Sequence, residues 1–125
     1  MSRKPVVVVG HRLGKGEKVK EGVEKAGGTC YVIPGITADM KLGDVMKEKN
    51  ADLGISFCGS GGAGAITAQS KYGYKAQSHL RTVEAGVTAL KEGNQVLGFG
   101  FMDTVELGQK LAEAWIEKYG NTNEE

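Results

Sequence analysis

The segment Pro5-Val6-Val7-Val8-Val9-Gly10 constrains this chain more than any other. Four successive valines give a strand with no polar face, so both faces must be covered. That is the pattern of a parallel sheet sandwiched between helices, not of an antiparallel sheet with one face in water. The rest of the chain repeats the same logic. Apolar strand-like runs alternate with segments of helical spacing, which requires right-handed βαβ connections and one parallel sheet.

A first loop is expected over His11 to Gly16, then a helix over Glu17 to Ala26 with Val19, Val23 and Ala26 on one side. Gly27-Gly28 closes that helix. Thr29 to Ile33 reads as the second strand, ended by Pro34-Gly35. Thr37 can cap a helix over Ala38 to Lys49 with Met40, Val45 and Met46 as its apolar stripe. Asp52 to Phe57 is a third strand that runs directly into Cys58-Gly59-Ser60-Gly61-Gly62-Ala63-Gly64. A helix over Ala63 to Lys71, ended by Gly73, follows. Tyr74 to Ser78 predicts a short fourth strand, Leu80 to Lys91 a helix, and Gln95 to Gly100 the last strand. Asp103 or Thr104 can cap a terminal helix carrying Val105, Leu107, Leu111, Ala114 and Trp115. The expectation is a single three-layer α/β domain over residues 1–120 with about five strands, and a polar tail over 121–125.

Composition removes several classes of function. Sixteen basic and fifteen acidic residues leave a net charge of +1, which argues against a nucleic-acid surface. The run Lys15 to Lys20 reads either as a small anion contact or as the solvated first turn of a helix. No stretch approaches the roughly 18 apolar residues of a membrane span, and the apolar run behind Met1 is too short for a signal peptide. The expectation is a cytoplasmic protein without membrane insertion. Two cysteines without paired spacing, and no histidine cluster around them, imply neither a disulfide framework nor a metal site; no cofactor is expected.

Twenty glycines exceed the usual share of about 7%, and they sit mainly where elements begin or end. In open α/β sheets, ligands bind beyond the carboxyl ends of the strands. The loop after the third strand is the most informative at that edge. Gly59, Gly61, Gly62 and Gly64 remove side chains so that backbone N–H groups converge on an anion. The helix starting at Ala63 adds its positive end, and Ser60 adds a hydroxyl. The alternative is a tight strand-to-helix turn with no ligand. The loop lacks the lysine of a Walker phosphate loop and lies after the wrong strand for a dinucleotide fingerprint. Cys58 stands at its mouth, as a reactive thiolate or as a small core residue. Cys30 reads as core. His11 and His79 read as site or structural residues, and Lys75 as a phosphate partner or a surface lysine. Phe99 and Phe101 read as core and rim packing.

Ser56-Phe57-Cys58-Gly59-Ser60 and its glycine-rich continuation resemble the signature of the small SFCGS-type glycine-rich bacterial proteins, over nearly the whole chain. That resemblance implies a supporting role in carbohydrate uptake or breakdown. Residues 51–76, together with Val96-Leu97-Gly98-Phe99-Gly100, are also similar to the B-type ribose- and galactose-phosphate isomerases, which are Rossmann-like. This second resemblance implies a phosphorylated sugar or sugar acid as ligand and a homodimer or larger assembly. In it Cys58 is the base that moves a proton, Ser60 helps open the sugar ring, and the loop amides hold the enediolate oxygens. His11 lies near that family's first-strand Asp-His pair, but Gly10 and Arg12 flank it, so the acid is missing. The family's His-Asn pair falls near Lys91 and Glu92, and its basic C-terminal clamp is not evident. Two further functions therefore stay open: a phosphocarrier subunit of a sugar-transport system with Cys58 as acceptor, and a non-catalytic assembly partner in contact with a transporter.

Overall fold

The computed structural model describes residues 3–59 and 61–120. The elements in chain order are β1 (Val6–His11), α1 (Glu17–Lys25), β2 (Thr29–Val32), a short 3-10 turn (Asp39–Lys41), α2 (Leu42–Lys49), β3 (Leu53–Phe57), α3 (Ala63–Tyr72), β4 (Ala76–Leu80), α4 (Val83–Lys91), β5 (Val96–Phe99) and α5 (Val105–Trp115). A π-helical turn, Ile116–Gly120, prolongs α5. All five strands are parallel, in the order β2-β1-β3-β5-β4, so the fold is the expected Rossmann-like α/β sandwich. The polar tail over 121–125 lies outside the described residues.

The all-apolar strands are buried on both faces, as their lack of a polar face demands. On one face Val7, Val9, Ile55, Phe57, Leu97 and Phe99 pack under α1, α4 and α5. On the other, Val8 and Val96 pack under Leu42 and Met46 of α2 and Ala65 and Ala68 of α3. Cys30 is core, and burial pushes its thiol up to about 12. The helices α1 and α5 cross at two glycines. A Cβ on Gly108 would lie 2.8 Å from the carbonyl carbon of Val19, and one on Gly22 would lie 2.5 Å from the Gln109 nitrogen.

Three boundaries move from their sequence expectation. His11 belongs to β1, opposite Phe57 of β3, rather than to the following loop. Met40 sits in the 3-10 turn that precedes α2, so it is exposed and does not join the stripe of Met46. The fourth strand runs to Leu80 because Thr82, extended at φ −140°, caps α4 through its hydroxyl with Ala85 N–H at 3.0 Å. Leu80 suits a strand as well as a helix; the cap decides.

Candidate functional site at the carboxyl edge

In this strand order the chain leaves β1 toward one side of the sheet and β3 toward the other. The two loops therefore part at the β1/β3 boundary, the usual place for a ligand crevice in such folds. His11 pairs with Phe57 across that boundary, so Cys58 begins the glycine loop one residue beyond, at the same edge as His11. Both are buried.

The glycines of the loop answer to different demands. Gly61, at φ 98°, packs on His79: its carbonyl accepts the His79 N–H at 2.7 Å, and a Cβ there would lie 2.9 Å from the imidazole. Gly62, at φ 111°, lies on the backbone of Gly98, whose carbonyl carbon would be 2.9 Å from an added Cβ. Gly64 lies on Asp39. Only Gly59 faces open space, with Phe101 3.6 Å from where its Cβ would be. Gly61 N–H already donates to the Cys58 carbonyl at 2.9 Å. Three of the four glycines thus serve close approach within the protein. Ser60 lies outside the described residues.

The N-terminal end of α3 is occupied by a side chain the sequence reading did not single out. Asp39, 2% exposed, accepts the Ser56 hydroxyl on Oδ1 and the Gly64 N–H on Oδ2 at 3.1 Å. Gly10 permits this, since a Cβ there would lie 2.8 Å from the Ala38 carbonyl. Burial holds the Asp39 carboxyl above its ordinary value, against the pull of the Ser56 and Gly64 hydrogen bonds and the nearby His11 and Arg12. The helix dipole expected to attract a ligand thus has an internal carboxylate beside it. The sequence carries no signal of this role: with Thr37 as cap, Asp39 would stand in the first turn of its helix, where an acidic residue is ordinary.

A second carboxylate does the same for α1. Asp103 was a candidate cap for its own helix α5; instead its Oδ1 accepts the Val19 N–H at 3.0 Å, while Thr104 caps α5 through Leu107 N–H at 3.1 Å. His11 Nδ1 accepts the Leu13 N–H at 2.9 Å, which leaves the proton of the neutral ring on Nε2. Burial lowers the His11 pKa, and Asp103 partly opposes that.

Two cavities open at this edge. One, of about 240 Å³, is lined by Gly59 and Gly61 of the loop, His79, Leu80, Arg81, Gly100 and Met102. The other, of about 370 Å³, is lined by His11, Leu13, Lys15, Lys18, Phe101 and Asp103. Phe101 stands between them: its ring lies 5.1 Å from the His11 ring and reaches over Gly59. Of the residues singled out from sequence, the structure brings Gly59, Gly61 and His79 into one cavity. His11 lies in its neighbour, while Gly62 precedes α3 and Ala63 and Gly64 form its first turn. His79 reaches the cavity because β4 shifts register against β5 between Gln77 and Leu80, with His79 at φ 63°. Lys75 is not brought there. It precedes β4 at the opposite edge of the sheet, and its ammonium donates to the Glu92 carbonyl at 2.7 Å. Sequence reasoning does not reach Arg81, because the expected strand ends at Ser78, two residues short of the observed end at Leu80. Among the described residues no cluster of metal-ligating side chains occurs, and no helix is long and apolar enough to cross a membrane.

The fold and this edge define a Rossmann-like protein with a small crevice at the carboxyl ends of its strands. Residues 5–118 match the model of the Glycine-rich SFCGS family, and the chain belongs to that family. No curated protein matches it. Among solved structures it is similar to type B ribose 5-phosphate isomerase from Trypanosoma brucei (TM-score 0.65, 19% identity, covering 98% of this chain and 91% of that one). It is also similar to ribose-5-phosphate isomerase B from Giardia lamblia (0.68, 17%, 91% and 95%). A third similar structure is ribose-5-phosphate isomerase B from Mycoplasma genitalium with bound ribulose-5-phosphate (0.64, 15%, 92% and 86%). At these identities the likeness is one of fold.

Proposed function

We propose that this protein binds a phosphorylated sugar or sugar acid at the carboxyl edge and acts on it in an isomerase-like way, in carbohydrate uptake or breakdown. The observation that carries the reading is the cavity where Arg81 and His79 face Gly59 and Gly61. It places a fixed positive charge and an imidazole opposite the head of the loop that Cys58 begins. At about 240 Å³ it falls below the roughly 300–1,000 Å³ of pockets for drug-sized ligands. That suits a phosphate head and a few carbons better than a nucleotide. The similarity in fold to isomerases of phosphorylated pentoses supports the same ligand class.

In this reading the Arg81 guanidinium, with His79, holds the phosphate, and Cys58 as thiolate takes the proton from the carbon beside the carbonyl. The same thiol returns that proton to the former carbonyl carbon while the hydroxyl proton passes from the neighbouring oxygen to the carbonyl oxygen, so a carbonyl and a hydroxyl exchange places with no net oxidation. Ser60, the loop amides and His11 complete the set, and the working form is a homodimer or larger.

Native mass spectrometry of the purified protein, followed by calorimetric titration with phosphorylated sugars and sugar acids, tests the reading. The expected result is binding that falls at least tenfold in Arg81→Ala, the loss of about one charge-assisted contact. Cys58→Ser should keep the binding but lose exchange of the ligand's carbon-bound proton with solvent. Failure of every such compound to bind, or full affinity in Arg81→Ala, overturns it.

A further inference from the structure

We infer that the second cavity holds a second anionic group, so that the preferred ligand carries a negative charge at both ends. This rests on the proposed function for the first end, the phosphate beside Arg81. The second end has its own observations. His11 is 3% exposed and lines the cavity, and its Nδ1 is occupied by the Leu13 N–H. Its Nε2 has no hydrogen-bond partner among the described residues. A buried N–H left without an acceptor carries an uncompensated desolvation cost, and an acceptor brought by a ligand removes that cost. Lys15 and Lys18 flank the same space, one before and one within the first turn of α1. Asp103 also lines it, but one of its carboxylate oxygens is turned to the Val19 N–H. The two ammoniums therefore leave the cavity net positive.

Between this basin and the first lies Phe101, 53% exposed, whereas Phe57 and Phe99 are fully buried. An exposed ring with a cationic basin on each side suits a short carbon chain that lays its C–H face on the ring. Phosphate would lie at the Arg81 end and carboxylate at the His11, Lys15 and Lys18 end. The chemistry selected is a phosphorylated sugar acid over a phosphorylated neutral sugar. The same two lysines belong to the basic run that the sequence alone leaves undecided between an anion contact and a solvated helix turn.

Calorimetry on the full chain with 6-phosphogluconate and glucose 6-phosphate as probes decides the matter. The expected result is at least tenfold tighter binding of 6-phosphogluconate. In Lys15→Ala/Lys18→Ala the preference should collapse to about one. Lys47→Ala/Lys49→Ala, which removes the same charge from α2, should keep it. Equal affinity of the two probes for the native protein overturns the inference and leaves the phosphate reading standing. So does a preference that survives loss of Lys15 and Lys18, or one that the α2 control also abolishes. Binding of neither probe overturns both.

Discussion

The helices that leave the two central strands are built differently from those that leave the last two. The helices α4 and α5 cap themselves: Thr82 and Thr104, each extended, turn a hydroxyl onto an amide three residues ahead. In contrast, α1 and α3 start from glycines at φ 139° and 111° that have no side chain to offer. Each borrows a carboxylate from a distant loop, Asp103 for α1 and Asp39 for α3. A self-cap is local and fixes only its own helix. A borrowed cap also fixes the distance between two segments, and here one member of each pair, Asp103 and the glycine loop, lines the crevice. The central edge is therefore a cross-braced frame, while the β4 and β5 helices are free-standing.

Removing a brace should cost more than removing a self-cap. Asp39→Ala is the harshest case, since it strands the Ser56 hydroxyl and the Gly64 N–H in a buried place. We expect a loss of about 3 kcal/mol in urea unfolding, the sum of two orphaned groups. Hydrogen exchange should also quicken at Gly64 and along the first turn of α3. A loss below that of the threonine caps would break the distinction between braced and free-standing helices.

The next largest effect is Asp103→Ala, at about 1–2 kcal/mol. Thr82→Ala and Thr104→Ala should each cost about 0.5–1 kcal/mol, within the range for lost N-caps. The sharper readout is where each change is felt. Asp103→Ala should shift amide resonances in both α1 and the loop after β5, whereas Thr82→Ala should disturb α4 alone.

The smallest effect is in the pH profile, where the two braced ends should oppose each other. Burial raises the Asp39 carboxyl, so the folded chain holds that proton more readily than the unfolded one. Its contribution is complete below about 3.8 and is lost as pH rises through the folded value. Burial lowers His11, so the folded chain holds that proton less readily. Its contribution is complete above about 6.5 and is lost as pH falls through the folded value. Urea unfolding from about pH 4 to 7.5 should show Asp39→Asn losing the first slope and His11→Gln the second. Profiles parallel to that of the native protein would show that neither ring nor carboxyl is set by its end of the frame.

The sheet was legible because its causes are local: a run of valines cannot be anything but a strand covered on both faces. The glycine loop was legible as a place, since four glycines in six residues must sit at an unusual turn. Its use was less so. Which backbone a missing Cβ makes room for depends on partners far along the chain, Gly98 for Gly62 and Asp39 for Gly64. Asp39 was hidden for the same reason, being 25 residues from the amide it accepts. Arg81 and Lys75 exchanged importance through a shift in one short strand. Its register is set by pairing with β5 and by a left-handed His79, neither of which leaves a periodic trace.

The glycine crossing of α1 and α5 has a consequence for anyone reading substitution tolerance as a map of function. Gly22 and Gly108 accept no side chain, because each would drive a carbon into the opposite helix's backbone. Any replacement must wedge the two helices apart. Since α1 carries Lys18 and Val19 while Asp103 stands two residues before α5, the wedge would travel to the crevice as a change in spacing. In a saturation screen scored on ligand turnover these two positions should look as intolerant as the loop itself, although neither lines the two cavities at that edge. They are the gauge blocks of the crevice, and a screen scored on activity alone would mistake them for its walls.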